Sequence, residues 1–513
     1  MRKWLPLTAV CLGAFMLLVD VTIVTVALPD MATGLHTGFA DLQWVMDIYA
    51  LALAALLLGA GSLADLVGRR AVYLGGLVLF ALASLACGLS GSSGELIAFR
   101  GLQGVGGAAM FATTMALLSS AYQGRDRGIA FGVWGAVNGA AAAAGPILGG
   151  LLTEHLDWRW IFYVNLPVSA LAVFVTLRAV KESRNPHATG VDLPGLATFT
   201  LATGTLTFAL IRGGDYGWTS TTTLGLLALS ALSLLAFVLV ESRSRHPMLD
   251  LGLFRNRTFL GIMIGGLLLS GAAFSYLVYA SLWLQSVRGM SPVTAGLALV
   301  PMSAVAFVAA ALAGRLLHGA PPRLTVGGGL LLIGLGALLE ATVGAGSDWT
   351  ALAPGLALTG AGVGLATPAL AATAMAAVPP TRAGMAGGAL NTSRQLGNAL
   401  GIAVLGAVFK AGLLDSVRTT AGAQDAHRTT EALTGGQAAG LLARTSPAER
   451  PAMTHLVHTA FAAGLRDTFL VSAALGLTGA LTVLLLLRRT PLTPTTPTPQ
   501  PGNRSAEPTP VSA

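Results

Sequence analysis

The feature that most constrains this chain is a succession of apolar runs, each near the length of a helix that crosses a lipid bilayer. A helix rises ~1.5 Å per residue and the hydrocarbon core is ~30 Å thick, so about 20 apolar residues span it. Such runs fall at residues 7–28, 43–63, 71–90, 96–118, 128–152 and 160–177, then at 193–211 and 222–240. The last group lies at 258–284, 293–316, 324–343, 349–378, 383–409 and 468–487. Lipid offers no partner to a backbone amide, so each run must close its hydrogen bonds on itself as a helix. The expected class is an all-α polytopic membrane protein with 14 transmembrane helices, grouped six, two and six. Composition agrees, because 54% of the 513 residues are hydrophobic and 10% charged, against about a quarter charged in a soluble domain.

Lys and Arg outnumber Asp and Glu by 30 to 22, a formal net charge of +8. In a soluble chain that excess would suggest nucleic acid. Here Arg2, Lys3, Arg69, Arg70, Arg125, Arg127, Arg178, Lys181, Arg184, Arg243, Arg245, Arg255, Arg257, Arg315, Arg323, Arg382, Arg488 and Arg489 fall on loops of one side. The opposite loops offer little beyond Arg159, Arg212 and Arg288. Cytoplasmic loops carry the Lys/Arg excess, so an even span count and this bias place both termini in the cytoplasm, and no nucleic-acid partner is expected. The first run is longer than a signal-peptide core and contains Asp20, which reads as an uncleaved first span. Cys11 and Cys87 sit inside apolar runs and suit packing rather than a disulfide or a metal.

The implied divisions are a six-helix bundle over residues 1–180, two linker spans and a cytoplasmic loop over 181–257, and a second six-helix bundle over 258–489. That second bundle carries a long external segment at about 410–467, rich in Ala, Thr and Gly, parts of which suit amphipathic helices. Residues 490–513 are a Thr/Pro-rich cytoplasmic tail with too little apolar surface to order.

Ionisable side chains inside lipid are costly, so each needs a partner or a function. Asp20 lies past the middle of the first run, Asp47 near the outer end of the second, and Arg100 in the outer part of the fourth. Glu340 is near the outer end of the eleventh, and Arg394 is in the thirteenth. The first run heads outward while the second and fourth head inward, so Asp20, Asp47 and Arg100 share the outer half of the bilayer as one expected polar cluster. A carboxylate beside an arginine keeps its charge, and one that loses that contact in a dry site takes up a proton. An acid that alternates between the two, and is exposed to a passage, can carry protons across. Glu340 and Arg394 read equally well as interhelical partners or as functional groups.

Between the second and third runs stands Gly61-Ser62-Leu63-Ala64-Asp65-Leu66-Val67-Gly68-Arg69-Arg70. Gly61 and Gly68 let helix ends approach, Asp65 suits the N-terminus of a neighbouring helix, and Arg69 and Arg70 hold the turn inside. The second half echoes it with Gly314-Arg315-Leu316 before Arg323, with His318 where an acid would stand. Gly104-Val105-Gly106 likewise recurs as Gly362-Val363-Gly364. Diverged internal repeats are a common basis of transporter folds. In the fifth run Gly135 and Gly139 lie on one face and permit close helix contact, while Pro146, between Gly145 and Gly149-Gly150, removes a backbone bond.

These stretches resemble the signature motifs of the major facilitator superfamily, in particular its 14-span drug:proton antiporters. The Gly61 to Arg70 loop resembles the family's loop between helices 2 and 3. Leu18-x-Asp20-x-Thr22-Ile23-Val24-x-Val26-Ala27-Leu28-Pro29 resembles its first-helix motif, and Arg100-x-x-Gln103-Gly104 its fourth-helix motif. Gly135 to Gly150 resembles the antiporter motif, and Trp158-Arg159-Trp160-Ile161-Phe162-Tyr163-Val164-Asn165-Leu166-Pro167 the start of helix 6. The resemblance implies a major facilitator fold, with Asp20 and Arg100 in proton coupling. It assigns Asp47 to binding of a substrate cation or proton, and Asp65, Arg69 and Arg70 to conformational gating. Glu340 is the corresponding candidate for substrate or proton binding in the second half. Val19 and Thr25 depart from the usual first-helix pattern, and the second-half loop lacks the acid.

The expected function is proton-coupled export of small amphipathic organic compounds by alternating access, from a bacterial plasma membrane, by a chain acting as a monomer. Alternatives are a dedicated exporter of one endogenous metabolite or antibiotic, and a non-coupled channel. An enzyme is not expected, because no H-E-x-x-H, G-x-S-x-G or G-x-x-x-x-G-K-[ST] occurs. The last absence also argues against ATP as the energy source, and no cofactor is implied.

Overall fold

The computed structural model describes residues 2–37, 39–184, 192–244, 247–316, 320–421, 426–434, 436 and 438–487. His318, Arg245, Arg488, Arg489 and the Thr/Pro tail lie outside them. Among the described residues the architecture is helical, with no β-strand. The first group comprises α1 (Leu5–Gly34), α2 (Phe39–Val67), α3 (Arg69–Leu89), α4 (Ser93–Ala121), α5 (Gly124–His155), α6 (Trp160–Tyr163) and α7 (Asn165–Ala179). Then come α8 (Leu193–Tyr216) and α9 (Thr221–Arg243). The last group comprises α10 (Arg257–Ala273), α11 (Leu277–Ser286), α12 (Pro292–Ala298), α13 (Val300–Leu316), α14 (Pro322–Glu340), α15 (Ala353–Ala376), α16 (Ala383–Ala421), α17 (Ala426–Thr434), α18 (Ala438–Arg444) and α19 (Arg450–Leu486).

Twelve helices among the described residues are long and apolar enough to cross a membrane. Two of the fourteen expected spans, 128–152 and 293–316, are not among the twelve. The first is nonetheless helix throughout, as α5. The second is interrupted at Leu299, leaving Val300–Gly314 as a shorter apolar helix. Several helices start where short polar side chains cap free amides. Ser92 accepts from Glu95 N at 3.3 Å before α4, and Glu95 accepts in return from Gly91 N at 2.9 Å. Asp192 caps α8 through Gly195 N at 2.8 Å, and Asn256 caps α10 through Thr258 N at 2.9 Å. The chain turns from α2 to α3 through Gly68 at φ 130°, a conformation that a side chain would strain.

In lipid the drive for helices to pack is close contact of small residues rather than hydrophobic burial. Two glycine crossings show this at the end of the molecule that carries Arg69. A Cβ at Gly61 of α2 would stand 2.5 Å from the Gly384 carbonyl oxygen of α16. A Cβ at Gly314 of α13 would stand 2.9 Å from the Gly128 carbonyl oxygen and 3.2 Å from Gly132 Cα, both on α5. The two glycines that mark the repeated loops thus make equivalent joints, each between one helix of the first group and one of the last. A continuous apolar core runs across both groups, with Phe80, Met110, Phe131 and Trp134 on one side and Phe259, Ile333, Leu370 and Phe461 on the other.

The pair α8–α9 packs outside α2. Phe199 meets Phe237 at 4.9 Å and Ser230 donates to the Ala202 carbonyl oxygen at 2.8 Å, closing the hairpin. Thr200 donates to the Ala55 carbonyl oxygen of α2 at 3.3 Å, and Phe208 stacks on Trp44 at 5.4 Å. The outer leucines Leu229, Leu232, Leu234, Leu235 and Leu239 of α9 remain exposed, as a lipid-facing surface requires. Much of the segment expected as an external loop at about 410–467 is helical. Helices α16 and α19 continue well past the apolar runs, and the rings of Phe409 and Phe461 pack at 5.8 Å.

Candidate functional site

Asp20 is fully buried in the first group of helices and sits at the centre of a closed polar cluster. Arg100 Nη1 from α4 donates to Asp20 Oδ2 at 2.5 Å and to Gln103 Oε1 at 2.7 Å. Gln103 Nε2 and Asn165 Nδ2 each donate to Asp20 Oδ1 at 2.9 Å. Both amides also reach Ser84 Oγ of α3, at 2.8 and 3.3 Å. Arg100 Nε donates to the Val45 carbonyl oxygen of α2 at 3.0 Å, and its guanidinium lies 4.3 Å from the Tyr49 ring centroid. Five helices therefore converge on one carboxylate. A buried charge pair is costly unless its remaining hydrogen bonds are met, and here both carboxylate oxygens have donors.

Local sequence explains how the partners arrive. Arg100 and Gln103 are three apart and share a face of α4. Asn165 follows the break between α6 and α7 at Val164. Pro167 has no N–H to bond the Tyr163 carbonyl, which loosens the helix at that point and turns Asn165 inward. Gly145 of α5 lies so close to Thr22 of α1 that no Cβ would fit. This contact holds α5 against the helix that carries Asp20.

Asp47 does not join this cluster as depth counting suggested. It faces Arg212 of α8 at 3.9 Å, and that guanidinium lies 4.7 Å from the Trp44 ring. Depth fixes only one coordinate, and Asp47 points from α2 toward the linker pair. Glu340 is likewise apart, fully buried among α10, α14 and α15, where Tyr276 Oη donates to Oε1 at 3.0 Å. Arg394 has a fully buried Nε without a hydrogen-bond partner.

The Gly61 to Arg70 stretch is a second, separate arrangement. Asp65 Oδ1 accepts from Arg69 Nη2 at 2.8 Å and from Gly384 N at 2.9 Å, and Oδ2 accepts from Met385 N at 2.9 Å. An acid from the first group thus caps the N-terminus of α16, where free amides and the helix dipole favour negative charge. Arg70 N and Ala71 N donate to the two Glu182 oxygens at 3.0 Å, and Arg70 Nη2 donates to the Leu177 carbonyl oxygen at 3.0 Å. Gly68 leaves the space that Glu182 fills.

Of the antiporter-like glycines, Gly135 faces Pro368 of α15 and Gly139 faces Ser303 of α13, with a Cβ at 3.1 and 3.3 Å respectively. Gly149 accepts from Thr153 Oγ1 at 2.7 Å within α5. Helix α5 runs through Pro146, whose side chain is outside the description. Gln103, Asn165, Ser84 and Tyr49 were not singled out from the sequence. The first two stand in the very motifs that carried the resemblance, which was the available signal.

The description Major Facilitator Superfamily belongs to the family model that matches residues 10–402. The chain is 41% identical over 410 residues to the multidrug resistance protein Stp of Mycobacterium tuberculosis, covering 80% of this chain and 76% of that protein. It is 33% identical over 516 residues to the tetracenomycin C resistance and export protein of Streptomyces glaucescens, covering 96% and 93%. Among solved structures, the human organic anion transporter MFSD10 (TETRAN) superposes with a TM-score of 0.61 at 16% identity, covering 94% of this chain and 99% of that one. At that identity the likeness concerns the fold.

Proposed function

Because the chain belongs to the Major Facilitator Superfamily and is a multi-pass protein of the bacterial plasma membrane, we propose that it exports amphipathic organic compounds in exchange for protons. Its relatives are multidrug and antibiotic resistance efflux proteins. In this reading all fourteen segments cross the bilayer, with α5 and the interrupted α12–α13 completing the twelve. Both termini are cytoplasmic, and the first and last groups rock about the Gly61 and Gly314 crossings while α8–α9 rides on α2.

The observation that carries the coupling is the Asp20 cluster. Three donors from α4 and α7 meet one carboxylate in a dry setting, so moving α1 against either helix changes the cost of its charge. Asp20 is fully buried in this conformation, and proton exchange therefore requires the cluster to open during the cycle. Asp65 and Arg69 act as the cytoplasmic latch, since separation of the two groups at that end breaks the bonds to Gly384 and Met385. Gly68 and Arg70 seat the latch, and Gly135, Gly139, Gly145, Pro146 and Gly149 shape α5 for close packing. Asp47 and Glu340 serve as interhelical partners, to Arg212 and Tyr276, rather than as the transport site.

The test is reconstitution into proteoliposomes with an imposed pH gradient and a panel of chemically unrelated dyes and antibiotics. Gradient-dependent movement of several compounds, abolished by an uncoupler, is expected. Directional transport that survives the uncoupler would refute coupling. The export protein similar over nearly the whole chain is named for a single compound, which favours a dedicated exporter as the second reading. Movement of only one compound from the panel would select it.

A further inference from the structure

The transport reading leaves Arg394, far from either end of its helix, without a counter-charge. Arg394 lies 11 residues along α16 from Ala383, ~16 Å from that end and so near the middle of a ~30 Å layer. One turn earlier Asn391 Nδ2 donates to the Phe111 carbonyl oxygen of α4 at 3.0 Å, so this stretch of α16 lies on the seam between the two groups. On its other flank α10 presents Gly266, where a Cβ would come within 3.3 Å of Arg394 Cγ. The glycine leaves room for the arginine stem. Nε is fully buried and unbonded, while the residue as a whole keeps partial exposure. Among the described residues no carboxylate lies within ion-pair distance of it, 4.0 Å.

Three other buried arginines of this chain stand beside acids: Arg100 by Asp20, Arg69 by Asp65, and Arg212 by Asp47. Within one turn of Arg394 along α16, two further buried polar atoms, Asn391 Oδ1 and Thr392 Oγ1, also lack a protein partner. A guanidinium offers a planar fork of donors that matches a carboxylate, and in a dry site it gains most from an anion. A pump for lipophilic cations would need the reverse, an unanswered acid on the seam.

We propose that Arg394 is the counter-ion for the cargo, so that the seam between the two groups selects amphipathic compounds bearing an anionic oxygen group such as a carboxylate, phenolate or enolate. This assignment rests on the exporter reading, because it names the charge of what that same seam carries. The test uses the full chain in lipid nanodiscs and three probes that share one ring system: 1-pyrenebutyrate, its neutral amide, and a pyrenylbutyl trimethylammonium salt. Equilibrium binding should favour the carboxylate over the amide by about tenfold or more. Arg394→Gln should remove that preference and change amide binding less than about twofold, and Arg394→Lys should keep part of it. Equal losses for all three probes in Arg394→Gln, or tighter binding of the ammonium by the unaltered chain, would overturn the assignment. If Arg394→Gln does not fold, the order of the three probes on the unaltered chain still decides. Gradient-driven uptake of the amide into inside-out vesicles tests the exporter reading separately. Uptake with no anion preference sinks Arg394 alone, and an anion preference without gradient dependence keeps Arg394 and sinks the coupling.

Discussion

Asp20 and Glu340 are both carboxylates with no solvent exposure, one in each group of helices, and they are satisfied in opposite ways. Asp20 meets a guanidinium and two amides, so a formal charge is balanced and both oxygens are bonded. Glu340 meets one tyrosine hydroxyl, its Oε2 has no partner, and among the described residues no cation forms an ion pair with it. The first arrangement draws on five helices, α1, α2, α3, α4 and α7. The second is a single hydrogen bond, from Tyr276 at the step between α10 and α11 to α14. A group tied to several moving parts can be switched by their motion, whereas one held by a single neighbour mainly fills space. Burial alone, then, does not identify a coupling residue.

The largest effect should come from Asp20→Asn. It leaves Arg100 buried without a counter-charge, a loss of about 3–5 kcal/mol in stability, together with near-complete loss of gradient-driven efflux. Adding Arg100→Gln should restore much of the thermal stability and none of the transport. Recovery of transport in the double variant would show that the pair is merely structural.

Asn165→Ala removes one of the two amide donors to Asp20 Oδ1 and should cost about 1–3 kcal/mol. The pH dependence of efflux should move while maximal binding of substrate stays. An unchanged pH profile would separate α7 from the coupling. Glu340→Gln keeps the size and an oxygen that accepts from Tyr276, so no buried partner is orphaned and efflux should stay within about twofold at every pH. Loss of coupling in that variant would erase the contrast drawn between the two acids.

An exposed acid sets the lower end of the scale. Arg288 Nη2 donates to Asp348 Oδ1 at 2.8 Å, and Trp349 N donates to the same oxygen at 2.8 Å. These bonds hold its carboxyl below the usual carboxylate range. Its contribution is therefore present above the ordinary carboxylate pKa and fades as pH falls through the lowered value. Asp348→Asn should shift the melting temperature slightly, and less at high salt, because exposed ion pairs are worth little. A shift as large as that of Asp20→Asn would contradict this ranking.

Much of the fold was legible because lipid leaves the backbone few choices, and apolar run length maps directly onto helices. The Arg69 turn was legible for the same reason, since Gly68 between two runs marks a chain reversal. Depth counting could place Asp20 and Arg100 in one layer, but it carries no azimuth. Asp47 was expected in the same layer, yet it points to α8, toward an arginine that read as part of an external loop. The partner of Glu340 was hidden because Tyr276 looks apolar in a run and donates only through its tip. Between Phe409 and Thr468 amphipathic helices were legible in part, but the long continuation of α16 and α19 was not, because those two helices lean on each other.

That mutual support has a practical result. At 39 and 37 residues, α16 and α19 reach ~55 Å or more, well beyond a ~30 Å layer. They stay paired through the rings of Phe409 and Phe461 and the close approach of Gly412 to Gly464. A stiff mast therefore stands on the last group of helices, clear of any detergent belt. A probe at its tip would magnify small tilts of the half to which it is fixed, turning an internal motion into a displacement readable from outside the membrane.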